Sequence, residues 1–245
     1  MPFPPETIAA LALVALAAYV IVGISGFGSA LVSIPLLAHF LPLTTILPML
    51  VMVDFTATLT NGFKFRKHID VKELKTIIPT MCVGIVIGVV MLSQLPGTAL
   101  LPALGVAIAT YGLYRLREPI TKTFVSPRWG YLAGLAGGFS GGLFGIGGPV
   151  YATYLSRRTN DFAKMRATIS AIFAVSTGFR VGVFLISGLL LQPEVWWGAL
   201  IIWPIMSIGL HIGHRLHGKL NAKHLSVFIS VLLIASGISL VMRAF

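Results

Sequence analysis

The chain contains, at residues 134–149, the stretch Gly-Leu-Ala-Gly-Gly-Phe-Ser-Gly-Gly-Leu-Phe-Gly-Ile-Gly-Gly-Pro, inside an apolar run over residues 129–155. Each glycine destabilises a helix by about 1 kcal/mol relative to alanine, and Pro149 lacks the amide that a continuing helix would use. The sequence therefore predicts a break in the helix. At membrane depth, broken backbone is tolerated only where protein or a water-filled cavity satisfies its polar groups. The break is a candidate binding site.

The composition is that of an integral membrane protein, which we expect in the cell (plasma or inner) membrane. Of 245 residues, 56% are hydrophobic and 10% are charged, and the mean hydropathy is +0.93. This leaves almost no soluble part and argues against a soluble enzyme. The net charge of +11 lies in short loops between apolar segments, where it indicates membrane topology and no nucleic-acid partner.

Eight apolar segments predict an all-α fold in contact with the lipid bilayer. Most have the length of one membrane crossing, about 20 residues, but the first and the fifth are longer and contain a Gly-rich interruption. The segments cover residues 7–40, 43–63, 74–92, 99–116, 129–155, 162–190, 195–212 and 225–241.

The two interrupted segments resemble each other at an offset of 119 residues, which aligns Gly26 with Gly145. Further along, at an offset of 125, Gly84 and Gly88 align with Gly209 and Gly213. Matched interruptions of this kind are typical of transporters built from two repeats. We expect a first repeat at residues 1–117, a cytoplasmic linker at 118–128 and a second repeat at 129–245.

The basic residues predict the orientation. The connections at residues 41–44, 93–97 and 191–194 contain no Lys or Arg, so the positive-inside rule places them outside and the basic loops in the cytoplasm. Of 18 Lys and Arg, 16 fall in four loops, between Lys64 and Lys75, Arg115 and Arg128, Arg157 and Arg166, and Arg215 and Lys223.

The sides assigned to the loops then predict that both interrupted segments are hairpins. The loops on both sides of residues 129–155 are basic, so this segment must enter and leave on the cytoplasmic side. The segment at residues 7–40 becomes a hairpin that enters from outside. Each half is thus a hairpin plus three transmembrane helices, so the second repeat is inverted relative to the first and both termini lie outside.

The Gly-rich pair resembles the sulfite exporter TauE/SafE family of membrane proteins. The family pattern is similar to Gly-x-Gly-Gly-Gly followed by a proline, and it appears here as Gly26-Phe-Gly28-Ser29-Ala30 with Pro35 and as Gly145-Ile-Gly147-Gly148-Pro149. The first copy has Ser and Ala in place of Gly, and the second has an early proline. The resemblance implies a secondary transporter that exports sulfite or related organosulfur anions from the cytoplasm.

The broken hairpins offer backbone donors to an anion. Unpaired N–H groups at a helix amino end carry roughly half a positive charge, and glycine lets an oxyanion approach closely. The alternative is that the glycines only allow close helix packing, which we assign to Gly84, Gly88, Gly209 and Gly213. The candidate binding residues at the breaks are Ser25, Gly26, Gly28, Ser29, Ser140, Gly145, Gly147 and Gly148.

Two fully charged side chains, Asp54 and Arg180, lie well inside predicted membrane segments. A charge there is costly unless it is paired or hydrated, so each is a candidate functional residue. Arg180 aligns with Asn61 in the repeat, and we assign both to the anion. Asp54 is the candidate for a coupling proton. The alternative is a structural pair of Asp54 with Arg180 or with another polar neighbour.

The sequence offers no catalytic or cofactor site. His211, His214 and His217 recur every three residues, which could suit a metal, but no carboxylate or cysteine accompanies them and a basic interfacial helix end is favoured. No phosphate-binding loop or nucleophile constellation is present. We therefore expect neither an enzyme nor a bound cofactor.

Two other functions remain open. A channel could use the same Gly-rich hairpins, and flux that never saturates would identify it. A membrane accessory subunit without transport would show no anion-dependent thermal shift. The sequence also leaves open the particular anion, the coupling ion and the number of protomers, with a homodimer among the assemblies considered.

Overall fold

The computed structural model describes residues 3–25, 29–62, 68–117, 124–216 and 222–242, and within these ranges it contains helices and no strand. A short 3-10 helix, Leu189–Leu191, follows the eighth helix. The α-helices are α1 Pro5–Ser25, α2 Ser29–Leu37, α3 Leu43–Gly62, α4 Val71–Gln94, α5 Gly97–Leu116, α6 Trp129–Phe144, α7 Gly148–Ser156, α8 Phe162–Ile186, α9 Pro193–Leu216 and α10 Ala222–Met242.

The helices follow the eight predicted segments, and both interrupted segments are divided as expected into a longer and a shorter helix. Five helices of the described chain, namely α1, α4, α5, α8 and α9, are long and apolar enough to cross a membrane. With 9 residues, α7 is about 14 Å long and too short to cross alone. The 21 residues of α1 would suffice for a crossing, so the outer hairpin at residues 7–40 stays a prediction.

The chain forms two compact units. The first comprises Met1–Leu50, Gln94–Glu118 and Gln192–Phe245, and the second comprises Val51–Ser93 and Pro119–Leu191. Each unit therefore combines helices from both halves of the sequence. The division into two sequence repeats remains a prediction.

In the first unit, glycines let helices approach to backbone contact. A methyl group on Gly23 of α1 would lie 2.7 Å from the Cα of Gly213 in α9. In α5 and α10, a methyl on Gly105 would lie 2.6 Å from the Gly237 carbonyl oxygen, and one on Gly112 would lie 2.9 Å from that of Ser230. As the residue numbers rise along α5, those of the contacted residues in α10 fall, so these two helices are antiparallel.

In the second unit, α4 packs on α6 in the same manner. A methyl on Gly84 would collide with the Leu135 carbonyl oxygen, and one on Gly88 would lie 2.5 Å from that of Phe139. The numbers rise together in α4 and α6, so these helices are parallel. Glycine is required because any side chain would separate the two backbones.

The packing of the two units corresponds residue by residue. In the first unit, Gly209 contacts the backbone of Leu16, and in the second unit Gly84 contacts the backbone of Leu135, which lies 119 positions after Leu16. Gly213 and Gly88 meet Val20 and Phe139, which are separated by the same 119 positions. The predicted packing role of Gly84, Gly88, Gly209 and Gly213 is confirmed.

Candidate functional site

The break between α6 and α7 is a capped helix end. Gly145 has a φ of 72°, in the left-handed region that favours glycine. Its amide donates to the Gly141 carbonyl at 3.0 Å, and the next amide, of Ile146, donates to the Ser140 carbonyl at 3.2 Å. These bonds satisfy carbonyls that a helix end leaves unpaired. The predicted break is confirmed, and Gly145 is required to form it.

The amino end of α7 presents buried backbone donors. Gly147 and Gly148 are buried, and within the described chain their amides donate no hydrogen bond. Pro149 follows directly, as is common in the first turn of a helix. Two unpaired amides at a helix amino end form the usual backbone site for an anion.

The same two glycines also serve packing. A methyl group on Gly148 would lie 2.6 Å from the Phe173 ring, and one on Gly147 would collide with the Gly137 carbonyl oxygen. Close packing alone therefore accounts for the missing side chains at both positions. Packing does not explain why these two amides donate no hydrogen bond within the described residues.

The α6–α7 segment is a hairpin whose two ends meet. The Val125 amide, before α6, donates to the Arg157 carbonyl after α7 at 3.3 Å. Arg158 returns a bond from its guanidinium to the Val125 carbonyl at 3.1 Å. Further in, Gly137 packs against the ring of Tyr151, so α7 runs back along α6. The two ends of the segment therefore lie together, as a hairpin requires, and their position on the cytoplasmic side stays a prediction.

An ionic cluster that the sequence did not reveal closes the base of this hairpin. We call Glu73, Tyr154 and Arg158 the hairpin-base cluster. The Glu73 carboxylate is buried. It accepts a hydrogen bond from the Tyr154 hydroxyl at 2.6 Å and forms an ion pair with Arg158 at 2.7 Å. The bond to Glu73 raises the pKa of Arg158 above its usual range. The cluster fixes the end of α7 to the first turn of α4.

A second ion pair lies nearby. Asp70 pairs with Lys164 at 2.8 Å, and the Asp70 amide donates to the Thr168 hydroxyl at 3.0 Å. The hydrogen bond from Lys164 lowers the pKa of Asp70, against a smaller opposing effect of burial. Asp161 caps α8 by accepting from two amides of its first turn, at 2.9 and 3.1 Å. These contacts join the loop before α4 to the start of α8.

Arg180 lies inside the second unit, on the face of α8 that also contains buried Ser176 and Thr177. It is 8% exposed, its guanidinium lies 5.5 Å from the centre of the Phe184 ring, and its Nε has no hydrogen-bond partner within the described chain. Tyr151 of α7 is 1% exposed and acts on Arg180 electrostatically. No motif or spacing in the sequence distinguishes Tyr151 from the apolar residues around it.

Asp54 of α3 is half-buried and also acts on Arg180 electrostatically. This proximity is compatible with a coupling carboxylate and with a structural partner. The Ser140 hydroxyl donates back to the Ala136 carbonyl at 2.8 Å, so its proton is already used inside α6. Ser29 is buried at the start of α2 in the first unit.

Several predicted site residues lie outside the part of the chain that the structure describes. Gly26 and Gly28 fall between α1 and α2, and the side chains of Ser25 and Asn61 are likewise not described. The same holds for His217 of the histidine series. Among the described residues, no group of three His, Cys, Asp or Glu could hold a metal ion.

Two comparisons with known proteins find similar sequences. The family model described as Sulfite exporter TauE/SafE matches residues 11–240. A protein of Comamonas testosteroni, "Probable inner membrane transporter protein TsaS", is 28% identical over 195 residues, covering 78% of this chain and 81% of that protein. No solved structure matches the chain. Because the family model spans nearly the whole sequence, the chain belongs to the sulfite exporter TauE/SafE family and is a multi-pass membrane transporter.

Proposed function

We propose that this protein is a secondary transporter that exports sulfite or a related small sulfur oxyanion by alternating access. The family description names sulfite export, and the relative is named as a transporter of the inner membrane. Neither the anion nor the direction of transport follows from these names alone. The support from this chain comes from the groups at its helix break.

The observation that favours an anion is the pair of buried amides of Gly147 and Gly148 at the amino end of α7, which are unpaired among the described residues. The helix dipole adds positive potential at this end, and low dielectric strengthens it. Arg180, buried on the neighbouring helix α8, supplies a full positive charge. A buried arginine is stabilised by a negative partner, so a small oxyanion satisfies both the amides and the guanidinium.

We propose further that the two sequence halves are inverted repeats. In α5 and α10, Gly112 contacts Ser230 while Gly237 contacts Gly105, and each partner lies 125 positions from its equivalent. Reciprocal contacts of this kind are what a two-fold axis produces. The antiparallel course of α5 and α10 agrees with the loop charges. External termini and an outer hairpin at residues 7–40 belong to the same proposal.

Cysteine labelling tests the topology. With Cys82 replaced by serine, single cysteines at Thr121 and Thr159 should react with an impermeant thiol reagent only from the cytoplasmic side. A cysteine at Thr44, in a connection without basic residues, should react only from outside. Labelling of Thr121 and Thr159 from opposite faces would exclude the inverted arrangement.

The remaining candidate residues have proposed roles. Ser25, Gly26, Gly28 and Ser29 would contribute donors from the first break, and Asn61 would be the counterpart of Arg180. Ser140 would have to exchange its bond to Ala136 for a bond to the anion. Asp54 would exchange the coupling proton.

Transport by purified protein in liposomes tests the proposal. Labelled sulfite should show saturable uptake and counterflow, and Arg180→Gln should abolish both without lowering the yield of folded protein. Arg215→Gln, which removes an exposed charge at the end of α9, is the matched control and should transport normally. Sulfite transport by Arg180→Gln at the normal rate would contradict the assignment, and flux without saturation would favour a channel.

A further inference from the structure

Two buried polar atoms of the second unit lack a hydrogen-bond partner within the described residues. These are the Tyr151 hydroxyl oxygen and the Arg180 Nε. Folded proteins satisfy almost all such groups, so each exception needs a physical reason. Both residues are more than nine-tenths buried, and the Tyr151 ring packs on Phe173, which lies about two turns before Arg180 in α8. We call them the Tyr151–Arg180 pair.

The Tyr151 ring is held in place on several sides. It contacts Phe173 of α8 edge to face, with ring centres 6.5 Å apart and an angle of 88°. Gly137 of α6 packs directly on the ring, so any side chain at that position would collide with it. A methyl group on Gly147 would lie 3.2 Å from the same ring. The hydroxyl therefore cannot swing out to water without disturbing three segments.

The surroundings of the hydroxyl are polar but do not satisfy it. Ser176 of α8 lies close enough to interact with it, but the geometry of a hydrogen bond is not formed. Ser176 and Thr177 are both buried on the α8 face between Phe173 and Arg180. Burying hydroxyls and a guanidinium on one helix face costs free energy unless a polar group occupies the space beside them.

We propose that the Tyr151 hydroxyl is a further anion-binding group, which donates its proton to one oxygen of the anion whose other oxygen accepts from Arg180 Nε. This assignment rests on the proposed function and adds to it a criterion for the substrate. Two donors fixed on separate helices favour an anion with at least two oxygens on one centre, such as sulfite, sulfate or a sulfonate. A chloride ion offers a single acceptor atom, which must lie within hydrogen-bond distance of both donors, whereas an oxyanion offers each donor an oxygen of its own.

The test compares Tyr151→Phe with Tyr154→Phe in the full-length protein in detergent. Tyr154 is the matched control because it lies on the same helix, but its hydroxyl already donates to Glu73 at 2.6 Å. Binding of sulfite, sulfate, methanesulfonate and chloride is measured by calorimetry. Thermal unfolding is measured without added anion.

We expect Tyr151→Phe to bind the oxyanions about tenfold or more weakly, because a hydrogen bond to a charged group is lost. Chloride binding should not change. Without anion, this variant should be at least as stable as the wild type, since it removes an unsatisfied buried hydroxyl. Tyr154→Phe should show the reverse pattern, with lower thermal stability and unchanged oxyanion affinity.

Unchanged oxyanion affinity in Tyr151→Phe would overturn the assignment, whether or not its stability falls. A wild-type protein that binds none of the three oxyanions would instead overturn the proposed function, and this assignment with it. Wild-type oxyanion binding that only Tyr151→Phe weakens would support both. The two failures are therefore distinguishable by the wild-type measurement.

Discussion

The hairpin-base cluster makes the stability of the second unit depend on a single carboxylate. Glu73 accepts bonds from the Tyr154 hydroxyl and from two guanidinium nitrogens of Arg158, all at 2.6–2.7 Å. Its side chain is 8% exposed, whereas that of Arg158 is 24% exposed. Removing one member of a buried ion pair costs about 3–5 kcal/mol. Because water can partly hydrate the Arg158 guanidinium, we expect Glu73→Ala to lower the free energy of unfolding by about 3 kcal/mol, the lower end of this range.

Glu73→Gln separates the charge from the hydrogen bonds. Glutamine keeps the shape and one acceptor oxygen, so Tyr154 can still donate, but the charge opposite Arg158 is lost. We expect a cost of about 1–2 kcal/mol, near that of one charge-assisted hydrogen bond. Glu194→Gln, at an exposed position in the first turn of α9, is the control and should change the free energy of unfolding by about 0.5 kcal/mol or less.

Cys82 provides the assay, because it is the only cysteine of the chain and is partly buried in α4. A thiol-reactive fluorophore should report its exposure during titration of the purified protein with sodium dodecyl sulfate. The midpoints then rank the wild type, Glu73→Gln and Glu73→Ala from most to least stable. Equal midpoints for all three proteins would refute the claim that this carboxylate secures the hairpin. A glutamine variant as unstable as the alanine variant would refute the separation of charge from hydrogen bonding.

Three further predictions follow from single contacts. Asp54→Asn should make sulfite transport in liposomes independent of an imposed pH gradient, and retained dependence would exclude Asp54 as the proton carrier. Gly138→Ala should lower the free energy of unfolding in the same titration by about 1–3 kcal/mol, because its methyl group collides with a backbone carbonyl of α4. The control Gly97→Ala, whose methyl group would meet nothing within 4 Å, should be neutral or slightly stabilising. Because Lys164 lowers the pKa of Asp70 below the ordinary value of 3.8, this pair stabilises the fold above that pH and loses its effect below it. The stability difference between wild type and Asp70→Asn should therefore be constant above about pH 5 and shrink as the pH falls below about 4, and a constant difference down to pH 3 would contradict this assignment.

The helix break and the packing glycines were predictable because both depend on local chemistry. Gly145 has a left-handed backbone conformation that favours glycine, and Pro149 lies in the first turn of the next helix, so both residue types mark the interruption in the sequence. The contacts of Gly84 and Gly88 follow from their spacing of four, which puts both on one helix face. Loop charge predicted the return of the hairpin, because orientation depends on composition and not on detailed contacts.

The polar contacts of the second unit were not predictable. Glu73 stands directly before an apolar run between basic residues, and nothing local indicates that it is buried against Tyr154 and Arg158, more than 80 positions away. Tyr151 is equally inconspicuous, because its burial depends on Gly137 and on a helix that begins later in the chain. Periodicity shows which face of a helix is apolar, but it does not show which distant side chain will meet a given polar atom.

The glycine contacts of α1 with α9 and of α4 with α6 interlock the two halves of the chain. Helix α1 ends at Ser25, whereas its close neighbour α9 begins only at Pro193. A fragment ending before α9 would leave the groove around Gly23 open to lipid, and a fragment starting at α6 would lack α4.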